Sequence, residues 1–145
     1  MPNPIPEGYH TVTPFLRVTD ATGMIEFMTK AFGAEVKFRM DEPSGRVAHA
    51  ELKIGDSIIM LGQAPTPDQA MRAMIHLYLT DTDAMYKSAM AAGATSIREP
   101  ANQFYGDRSA GIKDPAGNEW WMATHIEDVT QQEMERRMAA MAGGG

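Results

Sequence analysis

The stretch FLRVTDATGMIEFMTKAFGAEV, residues 15–36, decides the fold. Thr11 to Val18, which runs into it, alternates apolar and polar residues and reads as a strand, with Pro14 marking an edge or bulged position. Ala21 to Phe32 reads as a helix, and Gly33 sits where a left-handed C′ residue closes one. Glu35 to Met40 turns back to strand. Beyond it, Glu42-Pro43-Ser44-Gly45 is a turn joining this strand to Arg46–Ile54, and Ser57–Leu61 is a short apolar strand. A loop with two prolines, Gly62 to Arg72, follows. The same order then recurs: strand Met74–Leu79, helix Asp83–Ala92 capped by Gly93, and strands Ala94–Arg98, Ser109–Ile112 and Glu119–Ala123. Val18-Thr19-Asp20 matches Leu79-Thr80-Asp81, and Phe32-Gly33-Ala34 matches Ala92-Gly93-Ala94. Gly55-Asp56 matches Gly117-Asn118 at a similar spacing. A repeat of this length is one supersecondary unit used twice. Each half reads β-α-β-β-β, in an α+β sense.

Composition narrows what such a chain does. Its 145 residues fit one domain, and 43% hydrophobic with 22% charged residues supplies an ordinary core. Thirteen Lys+Arg against 19 Asp+Glu give a net charge of -6, the wrong sign for a nucleic-acid binder. There is no cysteine, hence no disulfide framework, thiol nucleophile or cysteine-based zinc site. No apolar run approaches the ~20 residues of a membrane span. The arm MPNPIPEGYH, with three prolines and a glycine, reads as irregular and lacks the pattern of a signal peptide. The expectation is a soluble cytoplasmic domain. There is no phosphate-binding glycine loop, and no Ser-His-Asp pattern is visible.

Two further stretches join residues 15–36: HAELKIGDSIIMLG (49–62) and FYGDRSAGIKDPAGNEWWMATH (104–125), the latter with an Asp-Pro-x-Gly-Asn turn. Together they resemble the vicinal oxygen chelate superfamily, and within it the PhnB-like glyoxalase/bleomycin-resistance/dioxygenase type. The resemblance implies a single domain over 1–145 in which two tandem βαβββ modules form a cup-shaped mixed sheet. Module one covers about 11–64, module two about 74–125, and an extra C-terminal helix about 129–142. It further implies a homodimer with cavities built across two subunits. Metal-dependent members place His or Glu on the first and fourth strands of each module. Those positions fall here on Thr13, Met74, Ile59 or Met60, and Trp121, none a normal ligand for a hard divalent ion.

Strand alternation gathers the remaining candidates. If Thr13 faces the cavity, so do Phe15 and Arg17; if Met74 does, so do His76 and Tyr78. On the third strand Val47, His49, Glu51 and Lys53 share one face, opposite Ala48, Ala50, Leu52 and Ile54. His49, Glu51 and His76 are then either a two-His, one-carboxylate metal site, an acid–base set, or lining residues with ordinary hydrogen bonds. Phe15, Tyr78, Phe104, Tyr105 and Trp121 are candidates for an aromatic pocket, with Met60 among its apolar walls, while Trp120 belongs beneath the sheet. Arg108, in Gly106-Asp107-Arg108, either grips an anionic or carbonyl group at the rim or belongs to a salt bridge of Asp107 with Arg108 or Lys113. His10 and His125 are read as solvent-facing.

The last segment reads as a capped helix, with Thr130 and Glu133 in capping-box spacing and a Glu133–Arg137 pair. Its stripe Met134, Met138, Met141 is read as packing on the same domain, with a second subunit as the alternative. Gly143–Gly145 are read as disordered. The favoured function is a small-molecule binding protein with no cofactor, holding an aromatic or amphipathic compound. A cationic compound would suit the net charge. The alternative is a glyoxalase-like lyase or isomerase with Zn, Ni, Fe or Mn at His49, Glu51 and His76, its catalytic residues.

Overall fold

Asp20 and Asp81, matched acidic residues of the two halves, each start a helix in the computed structural model, which describes residues 2–143. The Asp20 carboxylate accepts from the Gly23 N–H at 3.0 Å, and that of Asp81 from the Ala84 N–H at 3.0 Å. Each bond satisfies a donor that the first helical turn leaves free. The helices are α1 (Ala21–Phe32) and α2 (Thr82–Ala91). Each N-terminus is also tied to the far end of its own module. Gln63 accepts from the Ala21 N–H at 3.0 Å, and the Thr124 hydroxyl from the Thr82 N–H at 3.1 Å.

The first sheet holds β1 (Phe15–Val18), β2 (Glu35–Asp41), β3 (Val47–Ile54) and β4 (Ser57–Gln63), in the order β1-β4-β3-β2. The second repeats that plan with β5 (Met74–Tyr78), β6 (Thr95–Asn102), β7 (Asp107–Lys113) and β8 (Glu119–His125), ordered β5-β8-β7-β6. In both, the first strand of the module pairs parallel with the fourth and the rest are antiparallel. The doubled β-α-β-β-β order read from the sequence is therefore the observed one, and α3 (Gln131–Gly143) follows it.

Several boundaries differ, each for a physical reason. The first strand begins at Phe15 rather than Thr11, so Thr13 precedes it, and its hydroxyl bonds back to the His10 carbonyl at 3.2 Å. A register shift, Met40 opposite His49 but Asp41 opposite Val47, leaves Ala48 as an extra residue. This bulge turns Val47 into the core, on the face opposite His49 and Glu51, reversing the reading that grouped them. Strand β6 continues through Pro100 to Asn102, which an edge strand with an irregular register permits. Gly143 is the last residue of α3 and not disordered, while Gly144 and Gly145 lie outside the described residues.

Both helices cover one face of the sheets, and the two modules share one core. Leu16, Val18, Leu52 and Leu61 of the first sheet, Ile112, Trp120 and Met122 of the second, and Met24, Met28 and Phe32 of α1 are buried in it. Phe32 meets Trp120 at a centroid distance of 4.6 Å, joining the end of α1 to the centre of the second sheet. The Asp-Pro-x-Gly-Asn turn holds Trp120 in place. The buried Asp114 carboxylate accepts from the Ala116 N–H at 2.8 Å, the Asn118 N–H at 3.0 Å and the Trp120 Nε1–H at 2.8 Å. Gly117 makes that turn with φ 91°.

Helix α3 packs differently from the expectation. Thr130 caps it by accepting from the Glu133 N–H at 3.1 Å, and Arg137 pairs with Glu133 at 3.1 Å. Arg137 also grips both oxygens of Glu127 and donates to the Phe104 carbonyl at 3.0 Å. No residue of α3 is buried, and Met138 and Met141 stay exposed. Of the stripe, Met134 is half-buried and lines a hollow with Tyr105 and His125, while beyond it Arg137, not Met138 or Met141, ties the helix to its domain.

Asp114→Ala leaves buried donors unpaired, the Trp120 indole among them. It is expected to lower unfolding free energy by about 3 kcal/mol, read from urea denaturation with the slope unchanged.

Candidate functional site

Each sheet leaves its second face uncovered by helix, and these two faces carry the candidate residues. On the first, Phe15, Met60, Glu51 and Phe38 stand in one row across four strands. The His49 ring lies between aromatic neighbours, 5.7 Å from Phe15 and 6.0 Å from Phe38 by centroid. Its Nε2 meets Glu51 Oε2 at 2.8 Å, and the Tyr9 hydroxyl donates to the other Glu51 oxygen. Tyr9 belongs to the proline-rich arm, which bends over this face and encloses a hollow of about 540 Å³ with Thr13, Glu51 and Met60. His10 also lines that hollow. Arg17 stands beside Phe15's row, opposite Gly62.

On the second sheet the central row is His76, Trp121, Gly111 and Arg98. The Trp121 ring lies against Gly111, where a Cβ would sit 2.7 Å from Cζ3. A glycine there is what lets an indole lie along the sheet. The Arg98 guanidinium stacks 4.9 Å from the Trp121 centroid and donates to Ser109 Oγ at 2.7 Å. Met74, His76, Tyr105, Ser109 and Trp121 line a hollow of about 260 Å³. Phe104 and Tyr105 meet edge to face at 5.2 Å.

Beside that hollow lies a polar chain centred on buried Asp107. It accepts from the Tyr78 hydroxyl at 3.0 Å and pairs with His125 Nδ1 at 2.8 Å, while His125 Nε2 meets Asp128 at 2.7 Å. The bond from Tyr78 to Asp107 holds the phenol above its ordinary titration range. The bond to Asp107, then that to Asp128, raises the imidazole of His125. The Tyr78 and His76 rings touch at 4.7 Å.

The structure sorts the residues named from sequence into two groups on two sheets. Phe15, Arg17, His49, Glu51 and Met60 share the first face, and His76, Tyr78 and Trp121 share the second, with Tyr105 at its edge. His49, Glu51 and His76 are therefore not one cluster in this chain. Alternation put them on like faces, but of different sheets. Among the described residues no three His, Asp or Glu side chains are placed to hold a metal ion. Arg108 turns toward α2, where its Nε pairs with Asp83 at 2.9 Å and its Nη1 with Asn102 at 3.1 Å. Asp107 pairs neither with Arg108 nor with Lys113, since Tyr78 and His125 occupy it. His125, read as solvent-facing, is half exposed and bonded at both nitrogens. Sequence reasoning missed Tyr9, Arg98 and the Asp107 chain.

A family model for the glyoxalase/bleomycin resistance protein/dioxygenase superfamily matches residues 9–122. The chain belongs to that superfamily. Protein Mb0911c of Mycobacterium bovis is 33% identical over 144 residues, covering 92% of this chain and 95% of its own. Rv0887c of Mycobacterium tuberculosis is also 33% identical, over 92% of this chain and 85% of that one. Among solved structures, TioX from Micromonospora sp. ML1 superposes with a TM-score of 0.71 at 21% identity, over 81% of this chain and 99% of that one. At these identities the solved structures share the fold. The positions that hold metal in metal-dependent superfamily members do not fit one here. Met60 and Trp121 lie on the open faces with Met74, Ile59 is in the core, and Thr13 precedes its strand. A thioether pair, an indole and a hydroxyl offer no hard-ion site.

The raised His125 imidazole has a definite sign in stability. Its contribution is complete below the unfolded value of about 6.5 and is lost as pH rises through the folded value above it. The melting temperature of the native protein is expected to fall, relative to His125→Gln, as pH rises from about 6 to about 8.5. Parallel melting curves for the two proteins would contradict this.

Proposed function

We propose that the protein is a metal-independent small-molecule binding protein of the bleomycin-resistance type, holding an aromatic or amphipathic compound without transforming it. The observation that carries this reading is Trp121. Its ring is laid along the sheet by Gly111 and forms a wall of a hollow with Tyr105, Met74 and His76. A flat aromatic surface with a few polar groups at its edge suits a planar ligand better than a reacting centre.

The compound lies between two copies of the chain, in an acidic homodimer that engages neither nucleic acid nor membrane. Each open face is one wall of a cup, and both carry large apolar side chains. Phe15 is 49% exposed, Met74 69% and Tyr78 67%. Bringing the first face of one copy over the second face of another covers these side chains and encloses the ligand. Burial of such surface favours association by roughly 25 cal/mol per Å² of apolar area, before the cost of docking. No helix of the described chain is long and apolar enough to cross a membrane.

The second reading is a metal-dependent lyase or isomerase. The hydrogen-bonded pair of His49 and Glu51 favours it, since a divalent ion would find two donors there and would need a third, such as His76 from a second copy. Titration of planar aromatic compounds, followed by calorimetry, separates the two. The first reading expects binding unchanged after chelator treatment and weakened by about tenfold or more in Trp121→Ala. One tightly bound ion per chain, lost in His76→Ala together with turnover of a 2-oxoaldehyde, would replace it with the second.

A further inference from the structure

The residues around Trp121 say which kind of compound this site takes. Resting on the small-molecule binding reading above, we propose that Arg98 and Ser109 form an anion-recognising end of the site, and that the ligand is a planar aromatic carboxylate.

Arg98 has no carboxylate of its own among the described residues, as is also true of Arg17, Arg46 and Arg72, but Arg98 alone of these four is stacked on Trp121. Arg39, Arg108, Arg136 and Arg137 each sit in an ion pair. Among the described residues Arg98 has none; it stacks on Trp121 and spends one Nη2 hydrogen on Ser109. A guanidinium has five donor hydrogens in a planar fork, so the rest are unspent. Ser109 is buried, and its oxygen accepts from Arg98, which frees its own hydrogen to donate into the hollow it lines. Ser109 lines the hollow, and Arg98, bonded to it and stacked on Trp121, stands at its edge, so donors of both lie within reach of a carboxylate attached to a ring.

The acidic groups of the same face are already occupied. Glu119 accepts from the Trp121 indole at 3.0 Å and faces Lys113 across the strand pair. Asp107 is held by Tyr78 and His125. Neither competes for Arg98. The net charge of -6 would favour a cation at long range, but charges beyond about 8 Å are largely screened at physiological salt. A guanidinium in hydrogen-bonding contact with the ligand outweighs them, so the local donors and not the overall charge set the preference. This reverses the cationic ligand expected from composition.

The test uses matched probes on three flat scaffolds, indole, naphthalene and biphenyl. Each carries a carboxylate, a carboxamide or an aminomethyl group, and each is titrated calorimetrically into the full chain. The carboxylates are expected to bind about tenfold or more tighter than the carboxamides, with the ammonium compounds weakest. In Arg98→Gln the gap between carboxylate and carboxamide should close to within about twofold, through loss of carboxylate affinity. Carboxamides or ammonium compounds binding as tightly as carboxylates would overturn the anion site while leaving the binding reading intact. So would a carboxylate preference that survives Arg98→Gln. If none of the probes binds, both the inference and the binding reading fall.

Discussion

Phe32 packed on Trp120 is the contact on which the rest depends. It joins the last turn of α1 to the centre of the second sheet, so that two modules sharing no strand pairing share one core. Asp114 holds Trp120 in position through its indole N–H, and the Asp-Pro-x-Gly-Asn turn holds Asp114. Once both sheets commit one face to this core, the other face of each has no helix left to cover it. Those faces carry aromatic and thioether side chains together with a few ionisable groups. The candidate surface is thus a consequence of how the core is shared.

Much of the fold was legible in the sequence because repeated local chemistry produced repeated structure. Asp20 and Asp81 cap helices in equivalent places, and Gly33 ends α1 at φ 66° where the C′ position needs a left-handed residue. What escaped was set by single-residue irregularities. The bulge at Ala48 sends Val47 to the core, and alternation cannot foresee an extra residue. The methionine stripe of α3 was recognised, but the stripe does not say which surface it meets; only Met134 lies against the domain, and Arg137 supplies the polar anchor.

The site was legible residue by residue but not as an assembly. His49, Glu51 and Met60, and likewise His76, Tyr78 and Trp121, keep the faces that alternation gave them. Alternation says nothing about whether two sheets turn those faces toward each other, and here they do not within one chain. Polar networks were harder still. Tyr78, Asp107 and His125 lie far apart in sequence and meet only because β7 pairs with β8 beside the end of β5, and Asp128 joins them as a near neighbour of His125. Arg98 meets Gly111 and Trp121 only because β6 pairs with β7, which in turn pairs with β8.

Two open faces on one chain are complementary walls only if another chain supplies the opposite wall. Sedimentation velocity at micromolar concentration tests this most directly, on the native protein and on Met40→Asp, which places a charge on the open face of β2. The native chain should sediment at twice its 15.9 kDa mass, and Met40→Asp should shift toward the single chain while keeping its melting cooperative. A native protein that stays at 15.9 kDa, or a dimer indifferent to Met40→Asp, would contradict a cavity closed between the two faces.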